Sequence, residues 1–352
     1  MKNQQPAFVI LTPGFPKDEN DSTCLPAQQL FVRLLKEKFP LLDIVVLTFQ
    51  YPDDAVEYSW HDCRVISLAG KGKGKFFRLL LWYKAWKKLQ QLSKSRTVKG
   101  LLSFWCGECA LVGKRFGKKY NIQHLCWILG QDAKKENKYV QRIKPRAGEL
   151  IAMSDFLQET FWKNHAVKPA AVIPNGIDTR SFSKTIAIKD IDIMGAGNLI
   201  PLKQYDVFIG IISAIKKFFP GIKAVICGKG PEDKFLRSLI VKEGLQDNIT
   251  LMNEQPHAVV LQLMQRSRLF LHCALYEGFG SVCIEALYAG AQVISFNEPM
   301  KEKISHWHIA KNKEDMLQKV LSILQDQPID NSPICPYLME DSVIKMMQLF
   351  GR

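Results

Sequence analysis

The chain predicts a two-domain α/β protein in which each domain is a doubly wound parallel sheet. Three observations carry that expectation. At 352 residues the chain is long for one compact core. In its second half, short continuous runs of Val, Ile and Leu alternate with segments of helical period, and such runs suit strands buried on both faces. The first half repeats the alternation less regularly.

Taken in order, strands are expected at AFVILTP, DIVVLTF, RVISLA, GLLSFW, HLCWIL, ELIAMS and AAVIP, with helical segments between them that include LPAQQLFVRLLKEKF and DFLQETFWKNH. The stretch PNGIDTRSFSK (174 to 184), with its Pro, Asn-Gly and Ser, breaks the pattern and marks a domain junction. Beyond it, IDIMGAG, IKAVICG, ITLM, RLFLHCA and QVISF read as strands. They alternate with the helical segments QYDVFIGIISAIKKFF, EDKFLRSLIVKEG, HAVVLQLMQRS, SVCIEALYAG and KEDMLQKVLSILQ. The expected domains are residues 1–178 and 179–339, facing each other across a cleft. Ligands of open parallel sheets bind outside the carboxyl ends of the strands, so the loops there hold the candidate sites.

Composition narrows the class. Apolar content of 47% with 23% charged residues excludes disordered and fibrous chains. No apolar run approaches the ~20 residues that span a bilayer. The opening MKNQQPAFVILTPGFPKDEN does not read as a signal peptide, because FVIL is followed at once by proline, glycine and charge. A cytoplasmic protein is expected. Its nine cysteines lie mostly in apolar segments, as reduced core thiols do. Cys106 and Cys109 form a CxxC followed by His124 and Cys126, but no second pair completes a zinc set, so no metal is assigned.

The stretch EGFGSVCIEALYAG places Glu277 in a loop and Glu285 about one turn into a helix. Gly278 and Gly280 let backbone approach a ligand, and Ser281 is the expected cap. Amides at such a helix start carry a partial positive charge that suits a phosphate, and the two acids suit the hydroxyls of ribose and of a sugar. By spacing alone a solvated pair of glutamates is the commoner reading. Context changes that.

GAGNLIPLKQYD, VICGKGPEDKFLRSLIVKEGLQDNITLMNE and LHCALYEGFGSVCIEALYAGAQVISF, in this order, resemble the donor-binding half of glycosyltransferase family 4, retaining enzymes of GT-B architecture. IAMSDFLQETFWKNHAVKPAAVIPNGIDTRSF resembles the crossover between that family's domains. The resemblance implies that Glu277 contacts the donor sugar and Glu285 the nucleotide ribose, while amides of Gly278, Phe279, Gly280 and Ser281 reach sugar and diphosphate. It implies that Lys203 neutralises the diphosphate, making Glu277 and Lys203 the candidate catalytic pair. Asn198 stands where the family has an arginine. Gly14, in TPGFP, is what remains of a glycine-rich loop near the donor phosphates. Leu129 replaces a histidine beside the reacting carbon, which would pass any hydrogen-bonding role to Gln131 or Asp132. A final helix, residues 340–352, is implied to pack back on the first domain. No cofactor and no metal are implied beyond the nucleotide-diphosphate sugar itself.

The net charge of +14 is uneven: residues 1 to 176 hold 28 Lys and Arg against 15 acids, and the remainder 20 against 19. Ten of the basic residues fall between Lys71 and Lys99 with no acid among them. There Phe76, Phe77, Leu80, Leu81, Trp82, Trp86 and Leu89 alternate with Lys75, Arg78, Lys84, Lys87 and Lys88, a pattern that suits a helix at an anionic membrane surface or an ordinary crossover helix. No nucleic-acid-binding signature accompanies the charge. The expected function is hexose transfer from a nucleotide-diphosphate sugar to a glycan or lipid-linked acceptor in cell-surface polysaccharide synthesis. The alternative is a sugar-nucleotide-binding protein without turnover.

Overall fold

The computed structural model describes residues 6–352 except 73, 186 and 327; Lys73, one of the ten basic residues counted above, and the side chains of Lys75 and Phe76 lie outside the described residues. Its elements run β1 (Pro6–Gly14), α1 (Pro26–Lys38), β2 (Asp43–Tyr51), β3 (Glu57–Trp60), β4 (Cys63–Ser67), α2 (Lys75–Ser95), β5 (Thr97–Phe104), α3 (Glu108–Tyr120), β6 (His124–Ile128), α4 (Lys138–Ile143), β7 (Leu150–Ala152), α5 (Asp155–His165) and β8 (Ala171–Val172). They continue with β9 (Ile191–Ala196), α6 (Tyr205–Lys216), β10 (Ala224–Cys227), α7 (Asp233–Lys242), β11 (Ile249–Met252), α8 (His257–Gln265), β12 (Ser267–His272), α9 (Ser281–Tyr288), β13 (Gln292–Ser295), β14 (Trp307–Ile309), α10 (Lys313–Gln325) and α11 (Met339–Gln348). Two compact units result: residues up to 176 together with 339–352, and residues 177–338.

The first unit is built on a sheet of order β3-β4-β2-β1-β5-β6-β7-β8, parallel except for the antiparallel edge strand β3. Val9, Leu11, Val45, Leu47 and Leu101 are wholly buried on its strands, and α2 and α3 cover them with Leu81, Ala85, Leu89 and Phe116. The alternating positions Phe8, Ile10, Ile44, Val46 and Leu102 are buried as well, so both sheet faces are shielded and these strands read as continuous apolar runs. Helix α11 belongs to this unit: Met339, Val343, Met346 and Met347 are buried, and the Phe350 ring meets Phe8 edge-on with centroids 4.9 Å apart.

The second unit carries a wholly parallel sheet of order β11-β10-β9-β12-β13-β14. Counted along the chain this is the 3-2-1-4-5-6 order, whose reversal lies between β9 and β12. Phe208, Ile211, Ile212 and Ile215 of α6 join Ile193 of β9 and Ile226 of β10 in its core. Loops leaving the carboxyl ends of β9 and β12 thus emerge side by side at the switch point, where an open sheet offers a crevice.

Candidate active site

The site in the second unit is assembled from those two loops. After β9 the chain makes a short 3-10 turn, Pro201–Lys203, that presents Lys203. After β12 a loop carries Glu277, and Leu275 N donates to Leu202 O at 2.9 Å, tying the loops together. Lys203 Nζ is ion-paired with Glu277 Oε2. The His272 ring, only 4% exposed at the end of β12, lies 3.1 Å from the same oxygen through Nε2. An ionised carboxylate only accepts, so this geometry makes Nε2–H the donor. Gly278 N donates to Glu277 Oε1 at 3.2 Å.

Burial works against the charge on Glu277, but the hydrogen bond from His272 and the charge of Lys203 outweigh it and hold the carboxyl well below its ordinary range. Burial, aided by Lys203, lowers the pKa of His272 despite Glu277, so a neutral imidazole donates to an ionised carboxylate. Desolvation and partner thus favour the deprotonated form of both groups, a neutral imidazole beside a carboxylate.

Helix α9 opens beside this cluster. The cap position is Gly280, in the left-handed region at φ 80°, and Ser281 is the first helical residue; the expected Ser281 cap is thus corrected, because the turn needs a residue without Cβ there. Glu285, one turn on, receives His257 Nε2 at 2.8 Å from the start of α8. Burial lowers the affinity of His257 for a proton, yet the hydrogen bond and charge of Glu285 dominate and raise its pKa. Phe279 is buried against Tyr337, leaving its backbone to line the turn. Gly228, in the turn after β10, sits so close to the β9 loop that a Cβ there would lie 1.9 Å from Gly197 O.

Two carboxylates, a lysine and a helix start therefore meet at one switch point. A family profile described as Glycosyl transferases group 1 matches residues 177–334. The chain carries a group 1 glycosyl transferase domain. The gpi3 subunit of phosphatidylinositol N-acetylglucosaminyltransferase from Schizosaccharomyces pombe is 27% identical over 242 residues, covering 66% of this chain and 53% of that protein. The chain spans about half the length of the curated relatives it matches. Among solved structures, sucrose-phosphate synthase from Thermosynechococcus elongatus superimposes with a TM-score of 0.74 at 16% identity, covering 99% of this chain and 98% of that one. The pneumococcal O-GlcNAc transferase GtfA, in complex with UDP and GlcNAc, gives 0.67 at 15% identity, covering 99% of each. At such identities these likenesses speak for the fold, which is GT-B.

Within the glycosyl transferase domain, Asn198 is exposed in the loop after β9. Leu199 N donates to Lys229 O at 2.9 Å, so the GKGP turn and its exposed lysine adjoin that loop. The chain also contains an Asp-x-Asp, Asp190 and Asp192, but these lie at the amino end of β9 and are held by Arg266 and by Arg268 at 3.0 Å. Neither His272 nor His257 was singled out by the sequence. His272 interrupts an apolar strand as a core histidine would, and His257 is 28 residues from Glu285, so only the fold brings that second pair together.

The first unit holds the other expected residues. Gly14 is not in a loop: it ends β1 and pairs with Tyr51 of β2 across a register shift, which keeps the strand extended. It lines a cavity of about 450 Å³ with Pro13, Gln50, Tyr51 and Trp105. Leu129 is 6% exposed. Asp132 is no free hydrogen-bonding group: its carboxylate accepts from Cys106 N at 2.8 Å, Gly130 N at 2.8 Å and Leu129 N at 3.2 Å, clamping the loops after β5 and β6. Burial raises its pKa to about 6 against those donors. Gln131 alone of that pair is exposed. Cys106, Cys109 and Cys126 are buried and unbridged, and among the described residues no group of three or more His, Cys, Asp or Glu is placed to hold a metal ion.

Proposed function

We propose that the chain moves a sugar, N-acetylglucosamine first among those to test, from a uridine diphosphate donor to a lipid-linked acceptor, with retention at the anomeric carbon and without a metal. One observation carries this reading: Glu277 with Lys203, and Glu285 with His257, flank the start of α9 at the switch point of a parallel sheet. The choice of donor rests on the relatives, an N-acetylglucosaminyltransferase subunit and a transferase bound to UDP and GlcNAc. The lipid acceptor rests on the first of those relatives and on the basic α2.

In this reading Glu285 accepts hydrogen bonds from the ribose diol, and amides of Gly278 to Ser281 meet the diphosphate and sugar. Lys203 turns from Glu277 to the leaving phosphate, where a preorganised cation stabilises the charge that develops. Lys229, in the adjoining turn, offers the second cation that Asn198 does not. Glu277, still held by His272 and Gly278 N, receives a sugar hydroxyl. The bond from the anomeric carbon to the phosphate oxygen breaks and the acceptor oxygen bonds to the same face. The acceptor proton passes to the leaving phosphate, so no protein base is required. The first unit supplies the acceptor site, and helix α2 keeps that unit at an anionic, cytoplasm-facing membrane surface.

A second reading, donor binding without turnover, is favoured by Asn198 and Leu129 in place of charged and hydrogen-bonding residues. Radiolabelled UDP-N-acetylglucosamine and UDP-glucose, supplied with acidic phospholipid or with water as acceptor, separate the two. Label in lipid or released as free sugar supports the enzyme; donor binding with neither product supports the alternative; no binding of any uridine diphosphate sugar sinks both.

A further inference from the structure

On the first unit, a groove of about 340 Å³ combines two chemistries. Val56, Ile66, Leu68 and Tyr83 give it apolar walls, and Lys84, Lys87 and Lys88 set three ammonium groups along α2 beside them. The opposite wall is fixed by Ser67 N donating to Val56 O at 2.8 Å, at the carboxyl end of β4. Val56 and Tyr83 remain 45% and 58% exposed, and on the same helix Leu79 and Leu80 are 61% and 55% exposed. Such apolar surface beside cations is costly to leave in water and is matched by no ligand that is wholly polar.

The cations are only partly answered from within, by the charge of Glu57 acting on Lys88. Among the described residues Lys84, Lys87 and Lys88 are in no ion pair; Lys87 lies 5.5 Å over the Tyr83 ring and Lys84 5.7 Å over that of Phe77. Glu57, the one acid lining the groove, already holds Arg64 at 2.6 Å. A soluble sugar phosphate would leave the apolar walls unmatched, and an apolar peptide would desolvate three lysines without an anion. An amphiphile with an anionic head satisfies both.

We propose that this groove is a binding site for one acidic phospholipid, its phosphate among Lys84, Lys87 and Lys88 and its glycerol and upper acyl carbons against Val56, Leu68 and Tyr83. The site rests on the membrane-facing reading of α2 and turns it from a diffuse attraction into a localised anchor.

The test is flotation of the full chain with phosphatidylcholine vesicles, with and without phosphatidylserine. The triple variant Lys84→Gln, Lys87→Gln, Lys88→Gln is compared with Lys94→Gln, Lys99→Gln, Lys118→Gln, which removes equal charge from the same unit. With each lysine near an anionic surface contributing to binding, the groove variant should lose about 100-fold in partition and the control at most about 10-fold. Val56→Ser with Tyr83→Ser should weaken binding with charge unchanged. Equal losses in the two triple variants, an unaffected Val56→Ser/Tyr83→Ser protein, or soluble glycerophosphoserine competing as well as vesicles overturns the groove. Absence of flotation by the unaltered chain overturns the membrane reading as well. The thermal shift given by UDP, followed on every variant, reports folding and the donor site separately.

Discussion

Glu277 stays ionised because a buried neutral histidine, a lysine and a backbone amide all point at it. Its folded pKa lies below its ordinary 4.5, so the stability it contributes is present above that value and is lost as the pH falls through the folded one. The denaturant midpoint difference between the natural chain and Glu277→Gln should therefore hold steady above about pH 5 and shrink as the pH falls below the ordinary 4.5. Replacing Lys203 by Ala should lower the transfer rate by about 100-fold with a smaller effect on UDP affinity, as expected of a group that acts mainly on developing charge. For Glu285→Ala the expectation differs: the thermal shift with UDP disappears, a loss of roughly 1.5–3 kcal/mol for each hydrogen bond to the charged group. His257 has a raised pKa, so the stability of its pair with Glu285 is complete below the ordinary 6.5 and fades as the pH rises through the folded value. His257→Gln should flatten that part of the stability profile, read by melting temperature against pH. Glu277, Glu285 and Lys203 were singled out through the family resemblance of their loops, since by spacing alone a solvated pair of glutamates is the commoner reading. The histidines that hold the acids were not, since His272 reads as a core residue of an apolar strand and His257 reaches Glu285 from a different helix.

At the scale of elements, the start of α9 depends on Gly280 at φ 80°. Gly280→Ala forces a side chain into the left-handed region at about 1–2 kcal/mol, and relief of that strain should pull Ser281 and Glu285 out of register. Lower stability in urea together with weakened UDP binding is the expected outcome; a loss of stability with unchanged binding would show that the turn tolerates the change. Most strands were readable because a strand covered on both faces must be apolar throughout. Two were not. Strand β3, EYSW, and strand β14, WHI, are sheet edges with partly exposed side chains and no run to detect. Helix α3, ECALVGKRFGKKY, was not singled out either, since two glycines obscure its helical preference. Both are there for closeness: a Cβ on Gly113 would come within 2.7 Å of the His124 ring, and one on Gly117 within 2.5 Å of Ile122 O.

For the whole molecule, the structure divides at 176/177 and 338/339. Helix α11 completes the first unit: Lys38 is ion-paired with Glu340, Ser342 Oγ donates to Pro174 O at 2.7 Å, and the Phe350 ring leaves no room for a Cβ on Gly100, 2.6 Å away. Phe350→Ala should cost about 3–5 kcal/mol. In limited proteolysis the variant should lose protection within the first unit while fragments spanning 177–338 persist. Uniform loss across both units would show that they melt as one. The arrangement also orders events on the ribosome. A nascent chain releases all of residues 177–338 while the first unit still lacks its closing helix, so the earlier-made sheet must wait, Phe8 uncapped, until α11 emerges. Chaperone dependence should therefore map to the amino-terminal segment, although it is synthesised first.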